Sequence, residues 1–130
     1  MVLEKYKKYA PAVVRYGVGI VFLLFGIDQL FKPQKWIAFT PTFAQSLYVN
    51  VNTFWLINGM FDAIIGILLI IGLFTKIVAF FASVHLIGVI VILGYNDIAI
   101  RDFGLLLASI AVFLNGTDLW CLDFKLWKNR

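Results

Sequence analysis

The chain has 130 residues, of which 62% are hydrophobic and 14% charged, with a mean hydropathy of +0.94. That is far above the roughly half-apolar makeup of a soluble domain, so composition excludes one and points to a protein of the lipid bilayer. The net charge of +4 comes from basic residues that flank apolar segments, as topology signals do, which argues against nucleic acid as a partner.

The first apolar run covers about residues 12–31. It is long enough to span and shows no small-residue cleavage site before a soluble stretch, so residue 1 is expected to belong to the mature protein. Arg15, Gly19, Phe22, Gly26 and Gln29 share one face of this helix, and the two glycines, seven apart, permit close approach of a second helix. Arg15 is expected either to take part in helix packing or to face lipid and snorkel to the headgroups. Asp28 and Gln29 close the run. The connection that follows mixes Pro33 and Pro41 with Trp36, Phe39, Phe43 and Tyr48, a composition suited to the headgroup zone, and is expected to cap one end of the bundle.

The second run, about 53–74, carries Asn58 and Asp62 inside an otherwise apolar helix. Four residues apart, they share a face with Gly66 and Trp55, and that face must turn away from lipid. From an entry near residue 53, Asp62 lies roughly 13 Å deep at 1.5 Å per residue. Gly72 is placed to stop this helix and Thr75 to cap the next, about 77–95. His85 sits near the middle of that third run, where a neutral histidine bonded to another helix and a proton relay or quinone-carbonyl donor both fit. Asn96 and Asp97 are cap candidates for the fourth run, about 99–116, which opens with Arg101 and Asp102. In the tail, Trp120, Phe124 and Trp127 alternate with charges and suit an aromatic belt at the interface.

The fold class that follows is all-α: an integral membrane four-helix bundle, one domain over residues 1–130, with an interfacial segment between the first and second helices. Four spans put both termini and the turn at Lys76 on one side, together with Lys5, Lys7, Lys8, Arg15, Lys125, Lys128 and Arg130. Only Lys32, Lys35 and Arg101 fall on the other, so the termini are expected in the cytoplasm and the protein in the cell membrane.

The same topology gathers Asp28, Gln29, Asn58, Asp62, Arg101 and Asp102 in the outer half of the bundle, and with His85 these are the candidates for a ligand or proton pocket. Three carboxylates around one arginine should leave at least one protonatable. The competing expectation is that Arg101 pairs with Asp62 or Asp28 to lock the helices, while Asp102 serves the start of the fourth helix. A single histidine and a single cysteine, Cys121, exclude bis-histidine haem, an intrachain disulfide and a convincing metal site, so no cofactor is expected to be held by ligands within the chain.

The segments "RYGVGIVFLLFGIDQLFKP", "NGMFDAIIGILLIIGLFTK" and "IRDFGLLLASIAVFLNG", with a histidine in the third span, resemble the DoxX/DoxD family of small four-helix membrane proteins over about Arg15 to Gly116. Arg15 with the spaced glycines, and Arg101 with Asp102, match its pattern. At the end of the first span, Gly26 is followed by Asp28 and Gln29 where relatives often have a lysine soon after the glycine. The resemblance implies a redox neighbourhood, since some relatives are membrane subunits of a thiosulfate:quinone oxidoreductase.

Three functions are therefore expected to compete. One is a redox-linked membrane subunit, in which a pocket walled by Phe22, Phe25, Trp55 and Phe61 binds a quinone, with electrons supplied by an oxidoreductase partner subunit. Another is a small proton-coupled transporter, assembled as a homo-oligomer, with Asp62 as the exchanging acid. The third is a membrane scaffold or assembly factor whose polar cluster only fixes helix register.

Overall fold

The computed structural model describes residues 3–129, and among these all regular structure is helical. A 3₁₀ segment over Glu4–Tyr9 leads into α1 (Ala10–Phe31). A second 3₁₀ segment (Pro33–Phe39) and the short α2 (Thr42–Ser46) fill the first connection, followed by α3 (Val51–Ile71), α4 (Thr75–Leu93), α5 (Asp97–Asn115) and α6 (Leu122–Lys128). Three helices, Glu4–Phe31, Val51–Ile71 and Thr75–Leu93, are long and apolar enough to cross a membrane by length and composition. The fourth helix of the expected bundle, α5, is as long as α4 but outside this set, with Asp97, Arg101 and Asp102 making its first turns charged.

Local sequence sets the boundaries. Asn50 accepts hydrogen bonds from the N–H groups of Asn52 and Thr53 and starts α3 two residues before the expected point. Asn96 caps α5 as expected, accepting from Ala99 N–H at 2.9 Å. Gly72 ends α3 in the left-handed region, and Leu73 N–H closes back on Leu68 O at 3.0 Å. Thr75 does not cap α4. Its N–H and that of Phe74 are both bound at 2.8 Å by the carboxylate of Asp123, far away in sequence, because Phe74 takes a left-handed conformation (φ 51°) that aims the two N–H groups at the tail.

Packing is uneven. The closest pair is α1 with α3, then α4 with α5, while α3 and α4 touch sparingly in spite of their short connection. Gly19 and Gly26 of α1 meet Gly59 and Gly66 of α3 so closely that a Cβ on Gly26 would lie 2.7 Å from Gly59 O, and one on Gly66 2.7 Å from Gly19 O. The whole predicted face of α1, from Arg15 to Gln29, is buried there.

Arg15 does not face lipid. Its side chain is fully buried, with Nε 2.6 Å and Nη2 3.1 Å from the two Asp118 oxygens, and Nη1 donates to the carbonyls of Leu69 and Ile70 at the end of α3. The guanidinium supplies donors for α3 carbonyls that have no helical partner, and Asp118 balances its charge. Burial pushes the Asp118 carboxyl up, but hydrogen bonds from Arg15 and from Trp120 N–H, with the Arg15 charge, outweigh it and hold the group below the ordinary carboxylate range. Asp123 N–H donates to Gly72 O, and Cys121 is buried against Gly72 and Thr75. The tail expected as an aromatic anchor is therefore also a fitted latch across α1, α3 and α4. Trp120, Phe124 and Trp127 do remain exposed on its outside.

Candidate functional site

At the other end of the bundle, where α1, α3, α4 and α5 meet the 3₁₀ segment 33–39, lies a cavity of about 580 Å³. Its size falls in the range of small-molecule sites, about 300–1,000 Å³. It is lined by residues of both close helix pairs and of the first connection. Trp36 packs on Trp55 and edge-on to Phe25, with centroids 5.6 and 5.7 Å apart, and Trp55 Nε1 donates to Thr40 Oγ1 at 2.9 Å. The connection expected to cap one end does so, and it is also a wall of the cavity.

The polar residues of α1 and α3 converge as their spacing predicts. Asn58 Nδ2 donates to Gln29 Oε1 at 2.7 Å and lies 3.3 Å from Asp62 Oδ2, which also accepts from Gln29 Nε2 at 3.2 Å. Asp62 is 5% exposed, and its Oδ1 is the one buried side-chain oxygen or nitrogen without a hydrogen-bond partner among the described residues. His85 Nε2 of α4 lies 3.1 Å from that oxygen, near enough for an ion pair but not aligned as a hydrogen bond. The imidazole sits against Phe22 and Phe61 (centroids 6.2 and 5.0 Å) and, at 21% side-chain exposure, is more open than the carboxylate.

The carboxylates do not surround one arginine. Asp28 does not line the cavity; it accepts from Lys35 Nζ at 2.9 Å and Trp36 Nε1 at 3.0 Å, which do, and so pins the 3₁₀ segment to the end of α1. Arg101 pairs with neither Asp62 nor Asp28. It turns back on its chain neighbour Asp102, with Nε and Nη2 3.1 and 2.9 Å from Oδ1, and lies over the Phe25 ring at 4.8 Å. With 54% of its side chain exposed, Arg101 lines the mouth rather than the floor, because α5 packs chiefly on α4 and its first turns stay at the rim. Asp102 is buried beside it and serves as its ion partner, not as the cap of α5. Of the four expected aromatic walls Phe22, Phe25 and Trp55 line the cavity; Phe61 backs His85 from outside.

Lys35, Trp36, Asp118 and Asp123 were not singled out by sequence for these contacts. For Asp118 a signal existed: a buried arginine near the start of α1 calls for an acid at the same end of the bundle. Among the described residues no group of three or more histidine, cysteine or acidic side chains is placed to hold a metal.

Comparison with known proteins agrees with this architecture. The chain is 26% identical over 138 residues, 91% of this chain and 83% of the relative, to the uncharacterized membrane protein Rv3486 of Mycobacterium tuberculosis (strain ATCC 25618 / H37Rv). No solved structure matches. The family model described as DoxX matches residues 10–94, from the start of α1 to the end of α4, leaving Arg101 and Asp102 outside the matched stretch. The chain belongs to the DoxX family of integral membrane proteins.

Proposed function

We propose that this protein is a redox-linked membrane subunit whose cavity binds the ring of a quinone-class lipid. The observation that carries the reading is the pairing of an aromatic-walled, ring-sized cavity with a buried acid–imidazole couple, Asp62 and His85, at its floor. Trp36, Trp55 and Phe25 offer faces for a planar ring, and a ligand of this class arrives from the surrounding lipid. The couple can exchange the proton that accompanies electron transfer to or from the ring. Electrons come from a partner subunit or a soluble reductant, the protein supplying binding and proton traffic. The location is the cell membrane, with both termini in the cytoplasm. A scaffold whose polar cluster only fixes helix register would use the same Gln29, Asn58 and Asp62 contacts between α1 and α3, but it has no need of an open aromatic cavity beside them.

The test is mass spectrometry of lipids and quinones that co-purify with the native protein, alongside Asp62→Asn. Near-stoichiometric ring lipid, quinol or quinone, in the native protein, with the quinol share depleted in the variant, is the expected result. No ring lipid in either, with unchanged melting, would turn attention to proton-coupled transport.

A further inference from the structure

The polar atoms at the cavity floor differ in what they still have to offer. Both amide N–H bonds of Asn58 are engaged, at Gln29 Oε1 and Asp62 Oδ2, and one of Gln29 is directed at Asp62 Oδ2, which leaves a single Gln29 N–H uncommitted. Asp62 Oδ1 is sealed from contact, more than nine-tenths of its side chain being buried, and its nearest donor-type neighbour is His85 Nε2 at 3.1 Å. A carboxylate beside an imidazole favours the tautomer with its proton on the facing nitrogen, because the other arrangement sets two lone pairs against each other. The remaining nitrogen, Nδ1, is then an acceptor. His85, not Asp62, is the member of the couple that a ligand can touch, since it lines the cavity and is partly exposed.

Three of the four amide N–H bonds at the floor are engaged, while His85 Nδ1 and, nearer the mouth, Asp102 Oδ2 remain as acceptors, a balance that suits a hydroxyl better than a carbonyl oxygen. We infer that His85, oriented by Asp62, accepts a hydrogen bond from the ligand, and that the cavity therefore selects the hydroxyl-bearing, reduced ring, a quinol or related phenol, over the quinone. This rests on the ring-binding reading above and adds the oxidation state that the site prefers. Arg101 at the mouth does not discriminate, because a guanidinium donates equally well to a carbonyl or a hydroxyl oxygen. Asp62 is a positioning residue here, and His85 is the residue that contacts the ligand.

Full-length protein in lipid nanodiscs, kept anaerobic, is titrated with a short-chain benzoquinol, the matching benzoquinone and the quinol dimethyl ether, following tryptophan fluorescence. The quinol should bind about tenfold more tightly than the quinone, the size of one hydrogen bond, and the ether no better than the quinone. His85→Phe should abolish the preference and leave quinone affinity within about twofold. A Cβ on Gly88, one turn from His85 on the cavity wall, would meet nothing within 4 Å, so Gly88→Leu fills the space without touching the polar cluster and should lose both rings.

Equal or tighter binding of the quinone, or a preference that survives His85→Phe, overturns the inference and leaves the ring-binding reading standing. Binding unchanged by Gly88→Leu would place the rings elsewhere and overturn both. Failure of every ring to bind does the same.

Discussion

At the scale of single residues, the two ends of the bundle handle buried charge in opposite ways. Arg15 has its charge paired and four of its five N–H donors taken, by both Asp118 oxygens and two carbonyls of α3. A pair of this kind gives modest net stability when whole, but removing one partner strands a charge, at about 3–5 kcal/mol. Asp118→Asn should accordingly lower the melting temperature clearly, and Arg15→Leu combined with Asp118→Leu should cost less than either single change, as a double-mutant cycle in detergent would show. The pH dependence has a definite sign. The Asp118 carboxyl lies below its unfolded value, so its contribution is fully present above the ordinary carboxylate range and disappears as pH falls through the folded value. Melting measured between neutral pH and about pH 3 should show an acid-side loss that is smaller in Asp118→Asn; an identical loss in both would assign it to other groups. Asp62, by contrast, keeps one oxygen without an aligned donor. An incompletely satisfied acid beside a cavity is what a binding site retains and a purely structural cluster eliminates.

At the scale of elements, the glycines of α1 and α3 decide the architecture, because the close approach of that pair leaves the wider gap on its other side. In lipid there is little hydrophobic drive to bring helices together, so contact between backbones through small residues supplies the association. Gly66→Ala should force the pair apart and cost about 1–3 kcal/mol by overpacking. Gly17→Ala and Gly104→Ala meet nothing within 4 Å and should leave melting unchanged or raise it, so equal effects at all three positions would contradict this account. The start of α4 depends on the tail in the same concrete way. Asp123→Ala removes the acceptors of Phe74 and Thr75 N–H, and amide exchange at those two residues should accelerate while the centre of α4 is unaffected. Much of this was legible in the sequence: four helices within two or three residues of their ends, the Gly72 stop, the Asn96 cap, the shared face of Asn58 and Asp62, and the Gln29 face of α1 that meets it. These are local signals of period and cap. What could not be read is which partner a flexible charged side chain chooses. Arg101 and Asp102 are chain neighbours whose contact needs no fold at all, and Asp28 meets Lys35 only because the chain bends back at Lys32 and Pro33. Asp118 and Asp123 depend on the return of the tail across α1 and the α3–α4 turn, which no periodicity encodes.

At the scale of the whole molecule, the tail settles the role of α5. Its opening charges make it the least convincing span by composition, yet Asp118 binds Arg15 and Asp123 binds the Phe74–Thr75 turn, so residues 118–123 lie at the same end as the start of α1 and the α3–α4 connection. Because α4 ends at the opposite end, α5 has to run the full length of the bundle to deliver them. The charge pattern sharpens accordingly. Arg15, neutralised in its buried pair, drops out as a topology signal, but Lys5, Lys7, Lys8, Lys76, Lys125 and Lys128 still outnumber Lys32, Lys35 and Arg101 at the cavity end. The topology proposed above, with the cavity end outward, follows this bias by the positive-inside rule. Single reporter cysteines check this on a Cys121→Ser background, a mild change at the only native thiol. Tyr48→Cys, at a residue 98% exposed in the first connection, should react with a membrane-impermeant maleimide in intact cells, and Asn129→Cys only after permeabilisation. The reverse pattern would invert the topology while preserving the fold. Labelling of both positions from outside would put the tail at the cavity end, which is incompatible with the Arg15–Asp118 pair and would overturn the end-to-end path of α5 itself.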